Sequence, residues 1–133
     1  MTTSISLTPE TVQSTVQQYF AASRSDAKVE AMVACFAPDC VNFDPAEGSA
    51  LQGHAAMRQY LTTLATLFAQ IGLQEDFISI NGNQAAVKWT GHGITHTGTE
   101  VTFEGIDLFE LNAEGQIQCL RGYWNPAALM AHL

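Results

Sequence analysis

The chain has 133 residues, 47% hydrophobic and 14% charged, which fits one globular domain spanning 1–133 and excludes disorder. Five Lys and Arg against thirteen Asp and Glu leave a net charge of −8, which argues against nucleic acid and anionic membrane surfaces as partners. No run approaches the roughly 18 apolar residues of a membrane span.

The opening MTTSISLTPE has neither basic residues nor an apolar core, so no secretory leader is expected. Thr8-Pro9-Glu10 reads as a helix start, with an N-cap threonine, proline at the first helical position and an acid in the first turn. Val12, Val16, Tyr19 and Phe20 follow at helical spacing. Ser25-Asp26 restarts a second helix with the stripe Val29, Met32, Val33 and Phe36, ending before Pro38. Cys40–Phe43 is a short strand, Asp44-Pro45 its end and Ala46–Leu51 a loop. A third helix runs from about Gly53 to Ala69, burying Met57, Tyr60, Leu61, Leu64 and Phe68.

After Gly72 the apolar period changes to two. Leu73–Ile80 and Ala85–Thr97 are strands joined by the hairpin turn Asn81-Gly82. Thr97-Gly98-Thr99 turns the chain into a strand over Val101–Leu111. Asn112–Gly115 turns it again into Gln116–Trp124, and Pro126–His132 forms a closing helical turn. Helices followed by antiparallel strands predict an α+β fold, with three helices on a strongly curved, mainly antiparallel sheet. Such a sheet makes a cone with a pocket at its mouth.

Three polar groups stand out within apolar surroundings. Alternation along the strand puts Asp107 on one face with Phe103, Gly105 and Phe109. Burial against aromatic rings raises a carboxyl's pKa, and a neutral carboxyl can donate a hydrogen bond. Asp44, at a strand end beside a loop, is expected to be partly solvated and ionised. Tyr19 lies on the inward stripe of its helix and can donate its hydroxyl proton. A base plus two donors suits proton removal beside a carbonyl, where the enolate oxygen needs hydrogen bonds. The bland readings are a core tyrosine, a turn-capping Asp44 and an Asp107 tied to a neighbouring strand. His92 and His96 have ligand-like spacing but no third partner, and His54 reads as exposed, so no metal site is expected.

At these residues the sequence resembles the ketosteroid isomerases of the NTF2-like and SnoaL-like superfamily, over about Thr8 to Leu129. AKVEAMVACFAPDCVNFDP has the family's helix–acidic turn–strand–DP layout, LQGHAAMRQYL its glycine-led third helix, and GIDLFELNAEGQIQCLRGYW its closing strands. The resemblance implies an NTF2-like cone with Asp44 as proton-shuttling base. It implies Tyr19 and a protonated Asp107 as the oxyanion donors, with one residue inserted between the first two helices. Phe36 and Leu61 stand where some isomerases have supporting tyrosines, and Gly105 replaces a larger side chain. Phe36, Tyr60, Leu61, Phe103, Gly105, Phe109 and Trp124 are the expected substrate contacts. The expected activity is cofactor-independent isomerisation of a small apolar carbonyl compound. The alternatives are a SnoaL-like polyketide cyclase using Asp107 as its acid/base, and a non-catalytic ligand-binding or dimerisation module. Family dimers pair through the outer sheet face, where Ile106 and Leu108 point, so a homodimer is expected. Cys35, Cys40 and Cys119, odd in number without CxxC spacing, suit a cytoplasmic location.

Overall fold

A computed structural model describes residues 7–133, so the first six residues of MTTSISLTPE lie outside it. Helix α1 (Pro9–Ser23) starts as expected: Thr8 is the extended N-cap, and its Oγ1 accepts from Thr11 N–H at 3.2 Å. Val12, Val16, Tyr19 and Phe20 are buried along one face. Helix α2 (Lys28–Val33) is shorter than predicted. Ser25 does not cap it, because its hydroxyl donates to Ala22 O at 2.7 Å and closes the end of α1. Phe36 has already left the helix and forms a bridge parallel to Ile117.

Strand β1 (Val41–Asn42) pairs antiparallel with β2 (Leu51–Gln52), which leads into α3 (Gly53–Thr66). The sheet captures the chain earlier than the sequence period suggests. Ala69 N–H donates to Ile94 O at 2.8 Å, so Ala69 belongs to the sheet connection, and β3 (Gln70–Asn81) begins three residues before Leu73. Strands β4 (Gln84–Ile94), β5 (Glu100–Leu111) and β6 (Ile117–Tyr123) complete an antiparallel sheet in the order β3-β4-β5-β6. Gly82 takes the positive φ of 62° that the tight β3–β4 turn requires. His96 falls in the turn after β4 and not on the strand, its Nε2 2.8 Å from Thr66 O. The closing turn is a short fourth helix, α4 (Pro126–Met130), so four helices accompany the sheet.

Register shifts between Glu75 and Phe77 and between Glu110 and Leu111 interrupt the ladders. Such bulges bend and twist strands, which is how a sheet curls into a cone. Beyond β1 the chain runs parallel to β6: Phe43 N–H donates to Leu120 O at 2.8 Å and Gly122 N–H to Phe43 O at 2.9 Å. Along β5 every second side chain from Val101 to Leu111 faces inward. Tyr19, Phe20, Phe36 and Phe109 pack edge to face, with Tyr19 5.3–5.6 Å from the other three ring centroids. No helix among the described residues is long and apolar enough to cross a membrane.

Ser23 ties α1 to the sheet. Its hydroxyl accepts from Leu73 N–H at 3.0 Å and donates to Phe20 O at 2.6 Å. Ser23→Ala orphans the Leu73 N–H in a part-buried setting. Urea unfolding should show a loss of about 1–3 kcal/mol.

Candidate active site

The site is assembled around a missing side chain. In the sheet register Asp107 of β5 lies opposite Gly122 of β6. The hydrogen bonds of Phe43 with Leu120 and Gly122 bring Asp44, the next residue, over the same glycine. A β-carbon at position 122 would fall inside the Asp44 carboxyl, with Cγ at 2.9 Å and Asp107 Oδ1 at 3.3 Å. Two carboxyls therefore share the space above one glycine, and any larger residue there would displace Asp44. Trp124 Nε1–H donates to Asp44 Oδ1 at 2.6 Å and fixes that carboxyl from the other side.

Tyr19, Asp44 and Asp107 all line one cavity of about 70 Å³. Of the other residues expected to contact substrate, Tyr60, Leu61, Phe103 and Trp124 line it too. Phe36 and Phe109 do not; they stand behind Tyr19, with interplanar angles of 81° and 71°, and hold its ring in place. Gly105 is not a pocket wall either. Its missing side chain makes room for Trp89, whose Cζ2 would be 2.5 Å from a β-carbon at that position. Trp89 then lines the cavity and was not expected there. Alternation with the buried Ala85 and Val87 on β4 was the available signal. Lys28, Met32, Leu64, Ile71 and Leu73 complete much of the remaining wall.

The two acids differ in charge preference. Asp107 is 3% exposed, and burial raises its pKa well above the ordinary carboxylate value. The neighbouring Asp44 adds to that rise, and the nearby Trp89 indole opposes it. Asp44 is half-buried, so it is partly solvated as expected but less so than its position at a strand end suggests. Its carboxyl turns inward, and desolvation lifts it to about 6. The Trp124 hydrogen bond and the Tyr60 hydroxyl hold it from rising further. Asp44 is thus the more readily ionised acid, and burial, reinforced by the neighbouring Asp44, favours the neutral form of Asp107. Tyr19 stays protonated, raised first by burial and then by the two acids. Tyr60 Oη and Trp89 Nε1 are buried near the carboxyls, close enough to favour their charged forms but without a hydrogen bond of good geometry.

The remaining polar candidates lie elsewhere. His54 is half-buried and not exposed, its Nε2 2.8 Å from Phe36 O. His92 and His96 are exposed, and no group of three or more His, Cys, Asp or Glu among the described residues is placed to hold a metal ion. Gly122→Ala should push Asp44 out of place and break its bond to Trp124. The expected readout is an upfield shift of the Trp124 indole proton in a ¹H–¹⁵N spectrum whose other resonances keep native dispersion.

The backbone has well-matched counterparts among solved structures, all at identities that speak to fold alone. A candidate polyketide cyclase from Xanthomonas campestris pv. campestris superposes with a TM-score of 0.80 at 22% identity, covering 92% of this chain and 96% of that one. SalBIII, an epoxide hydrolase/cyclase-like enzyme linked to pyran ring formation in the polyether salinomycin, gives 0.78 at 24% identity, covering 89% and 93%. A protein of ketosteroid isomerase-like fold from Catenulispora acidiphila, in complex with trimethylamine, gives 0.78 at 17%, covering 94% and 92%. Residues 16–119 match the SnoaL-like domain family, and the chain belongs to that family within the NTF2-like superfamily.

Proposed function

We propose that the protein isomerises a compact, apolar carbonyl compound by moving a proton between two carbons conjugated through an enolate. The observation that carries this reading is the pair of carboxyls above Gly122, one inclined to ionise and one held neutral. Ionised Asp44 takes a proton from the carbon beside the carbonyl, leaving a dienolate. Tyr19 and neutral Asp107 donate hydrogen bonds to its oxygen. Asp44 then returns the proton to the far end of the conjugated system, so atoms and charge balance without a cofactor. The cavity of about 70 Å³ favours a compact substrate over a steroid.

A second reading, ring closure of a polyketide-like substrate, is favoured by the single buried carboxyl of Asp107 facing the cavity. There Asp107 is the acid/base and Asp44 is dispensable. Turnover of a small β,γ-unsaturated ketone separates the two. Asp44→Asn should abolish isomerisation while still permitting a phenol to bind as an enolate mimic. Tyr19→Phe should cost about 10²–10³ in rate, and Asp107→Asn should lose less than Asp107→Leu because it keeps a donor. The base works only when ionised, so kcat/KM should rise with pH through about 6 and then level. An active Asp44→Asn enzyme rejects the isomerase mechanism. A wild type that neither turns over such ketones nor binds the phenol rejects the whole assignment.

The partner proposed for the outer sheet face is a second copy of the chain. Phe77, Lys88, Ile106 and Tyr123 are successive cross-strand neighbours across all four strands. Phe77, Ile106 and Tyr123 are 65%, 46% and 49% exposed, and Leu108 beside them is 40% exposed. Ile106, Leu108 and Tyr123 form an exposed apolar patch, with Phe77 beyond the ion-paired Lys88, and such a patch suits association. Sedimentation at micromolar concentration should give a dimer for the wild type and a monomer for Ile106→Asp; a monomeric wild type removes this proposal.

A further inference from the structure

Four of the five basic side chains have a partner that accounts for them. Arg24 bridges Glu75 at 3.0 Å, Arg58 bridges Glu30 at 2.7 Å, and Lys88 bridges Asp76 at 3.2 Å and Glu104 at 3.3 Å. Arg121 lies over the Phe43 ring, 4.4 Å from its centroid. Lys28 has neither an acid nor an aromatic ring among the described residues. Its Nζ donates only to Ser25 O, at 3.2 Å, although an ammonium carries three donors.

Its position is informative. Lys28 lines the cavity that holds Tyr19, Asp44 and Asp107, and it also lines the open cleft outside that cavity. Ile71, Gly72 and Leu73 are the other residues common to both, so these four edge the cavity at its cleft-side mouth, and Phe103, Trp124 and Leu129 edge it toward a smaller outer pocket. Asp26 and Glu100 border the outer cleft without pairing to Lys28, and Arg24 there is held by Glu75. Among the described residues Lys28 is thus the unpaired cation on the cleft side of the cavity. In a chain of net charge −8, an anion gains nothing from the general field and needs such a local contact.

We propose that Lys28 anchors a carboxylate of the substrate, which is therefore a compact keto acid whose carbonyl lies inside at Tyr19 and Asp107 while its anionic end stays at the mouth. The substrate class rests on the enolate reading of the cavity; the anion anchor does not. Lys28 sets specificity, and the chemical step needs no proton from it.

The test uses three probes: 3-(4-hydroxyphenyl)propanoate, its neutral amide, and 3-phenylpropanoate, which lacks the phenol. Binding is read from tryptophan fluorescence, since both tryptophans of the chain line the cavity. The hydroxylated acid should bind wild type about tenfold tighter than the amide at low salt, with the ratio shrinking as salt rises. That ratio should fall to near one in Lys28→Met, which keeps the apolar stem, and survive in Lys28→Arg. A ratio near one in wild type, or one unchanged in Lys28→Met, overturns the anchor and leaves the enolate site standing if the amide binds. Equal binding of the two acids, with the ratio still dependent on Lys28, keeps the anchor and removes the enolate donors. Binding of none of the three overturns both.

Discussion

Two carboxyls are kept out of water in the same small space, and the rest of the site follows from that constraint. Removing an ionised carboxylate from water costs several kcal/mol, so two adjacent acids cannot both ionise cheaply. The protein resolves the conflict by asymmetry. Asp44 receives the Trp124 N–H at 2.6 Å and ionises at about 6. Asp107, deeper in the sheet, has no comparable bond and bears the repulsion of Asp44. Asp44 is thereby inclined to ionise near neutral pH, and Asp107 to stay neutral.

The scaffold supports this arrangement through close backbone approach. Gly122 leaves the volume that the Asp44 carboxyl occupies, and Gly105 leaves the volume that the Trp89 ring occupies. Both glycines lie on neighbouring strands of the cone, and each substitutes a functional side chain from another strand or loop for its own. The parallel hydrogen bonds of Phe43 to β6 set where Asp44 stands, and the aromatic cluster of Phe20, Phe36 and Phe109 sets where Tyr19 stands. Proton transfer depends on such positioning, because a base must reach a carbon-bound proton while the donors reach an oxygen on the same molecule.

The polarity of the wall then narrows what can enter. Beyond the donors and acids, the lining is largely aliphatic and aromatic, and the one cation is at the mouth. A ligand with a polar carbonyl at one end, an apolar body and an anionic tail matches that order of groups. The outer face of the same sheet is built from the opposite set of alternating side chains, so the cavity wall and the exposed apolar patch lie on the two faces of β5.

Much of this was legible in the chain itself. The period of two along residues 101–111 placed Phe103, Gly105, Asp107 and Phe109 on one inward face and Ile106 and Leu108 on the other, because strand side chains alternate whatever the partner. Turn residues such as Asn81-Gly82 and the Thr8-Pro9 cap act over a few bonds, and they lie where the sequence put them. The ends of α2 and α3 were less legible, since Ser25 and Ala69 were claimed by α1 and the sheet. What only the tertiary structure decided were contacts across long separations. Phe43 bonds β6 across about 80 positions and turns the next residue, Asp44, inward, so an acid expected to be partly solvated is largely desolvated, while Trp124 supplies its hydrogen bond. Gly105 changed from a gap in the pocket wall into a seat for Trp89 for the same reason. Local sequence determines which face a residue takes; what stands opposite that face depends on the register between strands, which no short stretch encodes.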